Sequence, residues 1–154
     1  PEPPALVKEP RVKPILPPLL VLLTTLPLSA ADNFLGTWRM RPSGVAGDKS
    51  QQVQTITQVG DGVKVDVEID MGNGTKMSMT YTTKFDGAEV PVYSSGKVVM
   101  TIRAKRSGPN TYQGSTAANG MTTNFITTVS ADGKVMTSES TTGPKARSVF
   151  DRVK

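Results

Sequence analysis

The chain has 154 residues, 18 of them basic and 13 acidic for a net charge of +5, and contains neither cysteine nor histidine. Those two absences exclude disulfide staples, thiol nucleophiles, thiolate or imidazole metal sites and any mechanism that uses imidazole as its base. The positive excess is spread along the chain, unlike the clustered basic stripe with interleaved aromatics that grips a phosphate backbone, so nucleic acid is excluded as the expected partner.

Residues 1–31 read as a leader. Residues 1–10 have a disorder-prone composition. Lys8, Arg11 and Lys13 precede an apolar run from Ile15 to Leu28, and Ser29, Ala30 and Ala31 supply the small residues of a signal-peptidase site, with cleavage expected before Asp32. The run is interrupted by Pro17, Pro18 and Pro27. It is shorter than the roughly 20 apolar residues that span a membrane. No stable membrane anchor is therefore expected after cleavage, and the location follows as periplasmic or secreted. Residues 32–154 should form one domain, a size that buries a single core without dividing in two.

Strand signals recur through that domain, each ended by a glycine or asparagine turn. The predicted strands are 35–41, 51–59, 63–70, 75–85, 90–93, 97–106, 110–117, 121–130, 134–141 and 146–153. From 63 to 70, Val63, Val65, Val67 and Ile69 point one way and Lys64, Asp66, Glu68 and Asp70 the other, so one face is buried and one is wet. The strand over 75–85 repeats this with Met77, Met79, Tyr81 and Phe85 inward, and 97–106 with Val98, Met100, Ile102 and Ala104. Between strands, Gly60-Asp61-Gly62, Gly72-Asn73-Gly74 and Asp86-Gly87 mark turns, while Asn119-Gly120 and Asp132-Gly133 read as two-residue hairpins. Residues 41–51, rich in Pro, Ser and Gly, read as a loop.

Short connections make consecutive strands antiparallel neighbours. Closure of so many short strands removes the exposed edges. The expected fold is all-β, a single antiparallel up-and-down barrel of 8–10 strands; a flat sheet or two-sheet sandwich is the competing arrangement.

Phe34-Leu35-Gly36-Thr37-Trp38, with glycine two residues before tryptophan at the start of the first strand, resembles the opening of the lipocalin and fatty-acid-binding-protein barrels. Further blocks follow in order: Leu35 to Pro42, Gln52 to Gly62, Lys84 to Gly87 with Val90-Pro91-Val92, and Val129 to Thr137. Together they resemble the small exported bacterial lipocalin-like proteins of the calycin superfamily. The resemblance implies a calycin barrel with Gly36 and Trp38 at its closed end and an arginine of the last strand over the indole. Arg152 is the candidate, since an antiparallel last strand brings its end beside the start of the first. The final strand also resembles the closing strand of the fatty-acid-binding proteins, where an inward Arg and a Tyr two residues later clamp the ligand carboxylate. With Phe150 matched to that Tyr, Ser148 stands where the Arg belongs, and Arg147 has the parity of an outward residue. The clamp is missing. The haem-binding barrels need a histidine that this chain lacks, and the barrel-shaped protease inhibitors usually carry a disulfide.

The inward set of Met77, Met79, Tyr81, Met100, Ile102, Met121, Phe125 and Phe150 is rich in methionine, whose thioether adapts to varied apolar guests. Thr123, Thr127, Ser148 and Gly114 add small or polar lining, a mixture suited to a small-molecule pocket. A barrel packed solid with side chains is the other outcome of the same pattern. The carboxylates Asp66, Glu68, Asp70, Glu89, Glu139 and Asp151 fall on outward faces or near turns, which argues against a catalytic pair. The Asp-Gly turns carry one carboxylate each, short of a calcium loop. Arg103, Lys105 and Arg106 read as a solvated face. The expectation is a monomeric, non-catalytic protein, without cofactor or metal, that binds a small hydrophobic molecule or lipid through Met77, Met79, Tyr81, Met100, Ile102, Phe125, Ser148 and Phe150. An envelope protein-interaction module on a filled barrel is the alternative.

Overall fold

Alternating apolar and polar side chains build ten strands in the computed structural model, which describes residues 32–143 and 145–153. The expected leader, signal peptide and cleavage lie largely outside the described residues. The strands are β1 (Gly36–Met40), β2 (Gln51–Val59), β3 (Gly62–Asp70), β4 (Lys76–Thr83), β5 (Asp86–Ser94), β6 (Lys97–Gly108), β7 (Thr111–Ala118), β8 (Met121–Val129), β9 (Val135–Ser140) and β10 (Arg147–Arg152). Each pairs antiparallel with its neighbours in the chain, and β1 closes on β10 through Trp38 opposite Arg152 and Met40 opposite Phe150. The result is a closed up-and-down barrel. Its loosest seam is β4–β5, registered at Thr80 opposite Tyr93.

The turns sort the barrel into two ends. The chain crosses one end at 32–35, 60–61, 84–85, 109–110 and 130–134, and the other at 41–50, 71–75, 95–96, 119–120 and 141–146. Phe34, Trp38, Ile56, Val63, Val65, Phe85, Ala104, Tyr112, Val129, Met136 and Phe150 are buried in one cluster toward the first end. Asn119 and Gly120, both at positive φ (51° and 75°), make the expected two-residue hairpin at the second.

The departures from the sequence reading fall at corners. The fourth strand stops at Thr83, and Phe85 turns at φ 56° instead of extending the strand, because its ring packs against Tyr112 with centroids 4.8 Å apart. The fifth strand begins four residues early. Asp86 pairs with Lys105, and a register shift between Asp86 and Glu89 absorbs Gly87 at φ 91°, so Asp86-Gly87 forms a bulge within β5 and does not end β4. Asp132-Gly133 lies in a five-residue loop, 130–134, in which Ser130 Oγ accepts from the backbone N–H of Lys134 and Val135. Residues 41–50 form an irregular loop ordered by Asp48, whose carboxylate accepts from Ser43 Oγ and from Ser50 N at 2.5 and 2.8 Å.

Candidate functional site

The floor of the barrel is built by the segment just ahead of β1. Asp32 accepts from the Phe34 N–H at 3.0 Å, and Trp38 Nε1 donates to Phe34 O at 2.9 Å, so Phe34 is drawn under the sheet and both rings are fully buried. Phe34, Phe85 and Tyr112 form an aromatic triangle with centroid separations of 4.8–6.2 Å. Two arginines lock the floor. Arg152 lies 4.3 Å from the Trp38 ring centroid and donates to the carbonyls of Leu35, Asn33 and Gly133 at 2.5–2.6 Å. Gly36 leaves room for that guanidinium, since a Cβ there would meet Arg152 Nη1 at 2.5 Å. Arg106 stacks 4.8 Å from Phe34 and 5.0 Å from Phe85 while holding the Asp32 carboxylate. Gly36, Trp38 and Arg152 are thus brought together, but Arg106 corrects the sequence reading: it belongs to the floor and not to a solvated face. Its parity, one residue off Arg103 and Lys105, carried that signal.

Above the floor the inward positions follow from the register. Val67 faces Met79 and Val65 faces Tyr81 across β3–β4; Ile102 faces Thr116 and Ala104 faces Gly114 across β6–β7. Exposure rises along this inner face. Phe150, in the floor cluster, retains 3% of its surface, while Ile102 on β6 and Val92 on β5, inward but outside that cluster, retain 6% and 3%. Met79, Tyr81, Met100, Phe125 and Ser148 are half-buried. Thr123 is exposed, and Met77 and Met121 reach 43% and 71% at the open end. Gly114 lets β7 press against β6, where a Cβ would stand 1.8 Å from the Arg103 carbonyl oxygen and 2.9 Å from Phe125.

A polar row crosses the middle of this wall. Tyr112, Thr127, Ser138 and Ser148 are successive cross-strand partners on β7, β8, β9 and β10. Thr127 Oγ1 donates to Ser138 Oγ at 3.0 Å. Burial raises the Tyr112 phenol above its ordinary value, partly offset by a hydrogen bond with Thr127 and by the Arg106 charge. Burial also raises the Tyr81 phenol, and Tyr112 adds to the effect. Both remain neutral donors at any ordinary pH.

The carboxylates lie on the outside. Asp66 meets Lys64 at 2.9 Å, Glu89 meets Arg103 at 3.0 Å, Glu139 meets Arg147 at 3.0 Å and Asp151 meets Arg41 at 2.7 Å. Arg147 therefore points outward, as its parity requires. Three open furrows follow the outer wall: one of about 520 Å³ beside Arg103, Lys105, Gln113 and Asn124, another of about 540 Å³ beside Thr55, Asp66, Glu68 and Tyr93, and a third of about 350 Å³ beside Gln51, Glu68, Asp70 and Lys76. No group of three or more Asp or Glu side chains among the described residues is placed to hold a metal ion.

The fold is shared with known barrels. A Schistosoma mansoni fatty-acid-binding protein in complex with arachidonic acid is 19% identical, with a TM-score of 0.58 over 79% of this chain and 97% of that one. The wild-type fluorescent protein UnaG is 18% identical, with a TM-score of 0.56 over 79% of this chain and 98% of that one. No protein-family model and no curated relative matches the chain.

Proposed function

We propose that this chain is a non-catalytic binding protein that holds a small hydrophobic or amphipathic molecule in the open half of its barrel. One observation carries the reading. Along β4 and β8 the inward side chains are sealed at the Trp38 end and become accessible toward Met77 and Met121, while Val92 on β5 stays buried, so solvent reaches part of an inner wall of methionine, aromatic and hydroxyl groups. Such a wall gives up unfavourable apolar hydration when a guest enters. The shared fold with a barrel solved around arachidonic acid supports an apolar guest. The outward, ion-paired carboxylates support binding without conversion, and the closure of β1 on β10 supports a monomer.

The test is uptake of Nile red, an uncharged dye that brightens in apolar surroundings. Saturable brightening, reversed by long-chain hydrophobes at micromolar concentration, is the expected result. Failure of the folded protein to take up dye or any long-chain hydrophobe would favour the interaction module. Export is part of the same proposal, supported by the order of basic, apolar and small residues over 8–31. Expression with the leader in a bacterial host should yield periplasmic protein whose intact mass begins at Asp32; retention in the cytoplasm at full length would remove that part.

A further inference from the structure

We propose that the hydroxyl row Tyr112, Thr127, Ser138 and Ser148, together with Tyr81, is the polar subsite of the interior and selects guests whose polar end is uncharged and hydrogen-bonding, such as long-chain alcohols, over ionised acids. This rests on the reading of the interior as a binding cavity and names the class of guest it takes.

Three observations carry it. First, the row is continuous: its members are cross-strand neighbours on four adjacent strands, and Thr127 and Ser138 are hydrogen-bonded to each other. Second, the row has unspent capacity. The hydroxyls of Tyr81 and Ser148 make no hydrogen bond to any described residue. Yet among the described residues no buried side-chain oxygen or nitrogen lacks a partner, so these two hydroxyls border space that can hold a small group. Each can donate one bond and accept from another group.

Third, the interior offers nothing to balance a charge. Among the described inward positions the only charged residues are Arg106 and Arg152. Both sit at the floor, committed to Asp32 and to three backbone carbonyls. Of the other ion-paired Lys and Arg, Arg41, Lys64, Arg103 and Arg147 lie on the outer wall, Lys84 and Lys134 in loops at the floor end and Lys76 at the rim of the open end. An ionised carboxylate entering beside Tyr81 would lose hydration without gaining a cation, whereas an alcohol exchanges water for hydroxyl partners. The raised phenol pKa values fit a neutral interior in which both tyrosines stay protonated.

The experiment uses the whole chain with bound Nile red at pH 8, where decanoate is ionised. The competitors are 1-decanol, decanoate and 1-chlorodecane, the last matching the alcohol in shape without a donor. Because the alcohol is more lipophilic than the ionised acid, the deciding quantity is the affinity ratio of decanol to chlorodecane. The wild type should favour decanol over each of the other two by about tenfold or more, the worth of roughly one hydrogen bond. Tyr81→Phe with Ser148→Ala should bring the decanol to chlorodecane ratio to within about threefold of unity. The two substitutions are also read singly, so that a double variant that does not fold leaves the question answerable. Decanoate competing as well as decanol, or a ratio indifferent to both substitutions, would overturn the inference while leaving the cavity standing. Absence of Nile red uptake would instead remove the cavity reading beneath it.

Discussion

At Gly36 the backbone has φ of 124°, a conformation side chains rarely adopt, and the space a Cβ would need is occupied by Arg152. Gly36→Ala should therefore cost about 3 kcal/mol through backbone strain and displacement of the guanidinium, read as a lower denaturant midpoint with an unchanged slope. The neighbouring pair makes a sharper test. Trp38→Ala removes a fully buried ring and should cost about 3–5 kcal/mol. Arg152→Met loses the indole contact and also three carbonyl acceptors' donor, so its cost should approach 3 kcal/mol, above that of stacking alone. The double variant should lose less than the sum, because the shared contact can be lost only once. Strict additivity would mean that the two side chains stabilise the barrel independently.

The element that decides which end closes is the short segment at 32–35, which has no strand of its own. It holds Phe34 under the sheet through Asp32, Arg106 and Arg152, so Phe34→Ala should destabilise by about 3–5 kcal/mol. Asp32→Asn should weaken Arg106 anchoring by a smaller amount, with dye uptake through the opposite end retained. A loss of dye binding in folded Asp32→Asn would place the opening at the wrong end. This segment also marks the limit of what the sequence displays. Strands such as β3 and β8 are legible because alternation with period two has one meaning in a half-buried sheet. Corners obey a different logic: Phe85 leaves its strand for an aromatic cluster assembled from β7 and the chain ahead of β1, partners distant in sequence. Gly87 reads locally as a turn, and only pairing with Lys105 reveals it as a bulge. The inward parity of Met77, Tyr81 and Ser148 was readable, while the height of each along the barrel axis was not. That height separates sealed Ala104 and Phe150 from accessible Met77 and Met121, and it depends on the shear of the closed sheet, which no single strand encodes.

For the molecule as a whole, the neutral interior couples the proposed binding chemistry to alkaline stability. Tyr81 and Tyr112 have phenols raised by burial above their ordinary value near 10, so at high pH the folded state holds protons that the unfolded chain releases. Their contribution is complete below about pH 10 and is lost as pH rises above it, since unfolding is then favoured by ionisation of the exposed phenols. Urea midpoints should be flat between about pH 7 and 9 and fall beyond pH 10, with phenolate absorbance of these two residues appearing together with unfolding. Other groups lose their charge in the same range, including Lys84, raised by its hydrogen bond to Asp61, so the fall alone does not assign the cause. Tyr81→Phe supplies the assignment: it keeps the ring, removes the ionisable hydroxyl and should make the alkaline decline shallower. A slope unchanged by Tyr81→Phe would mean that the Tyr81 phenol ionises as readily in the folded barrel as in the unfolded chain, and the interior would then be wetter than a selective neutral site requires.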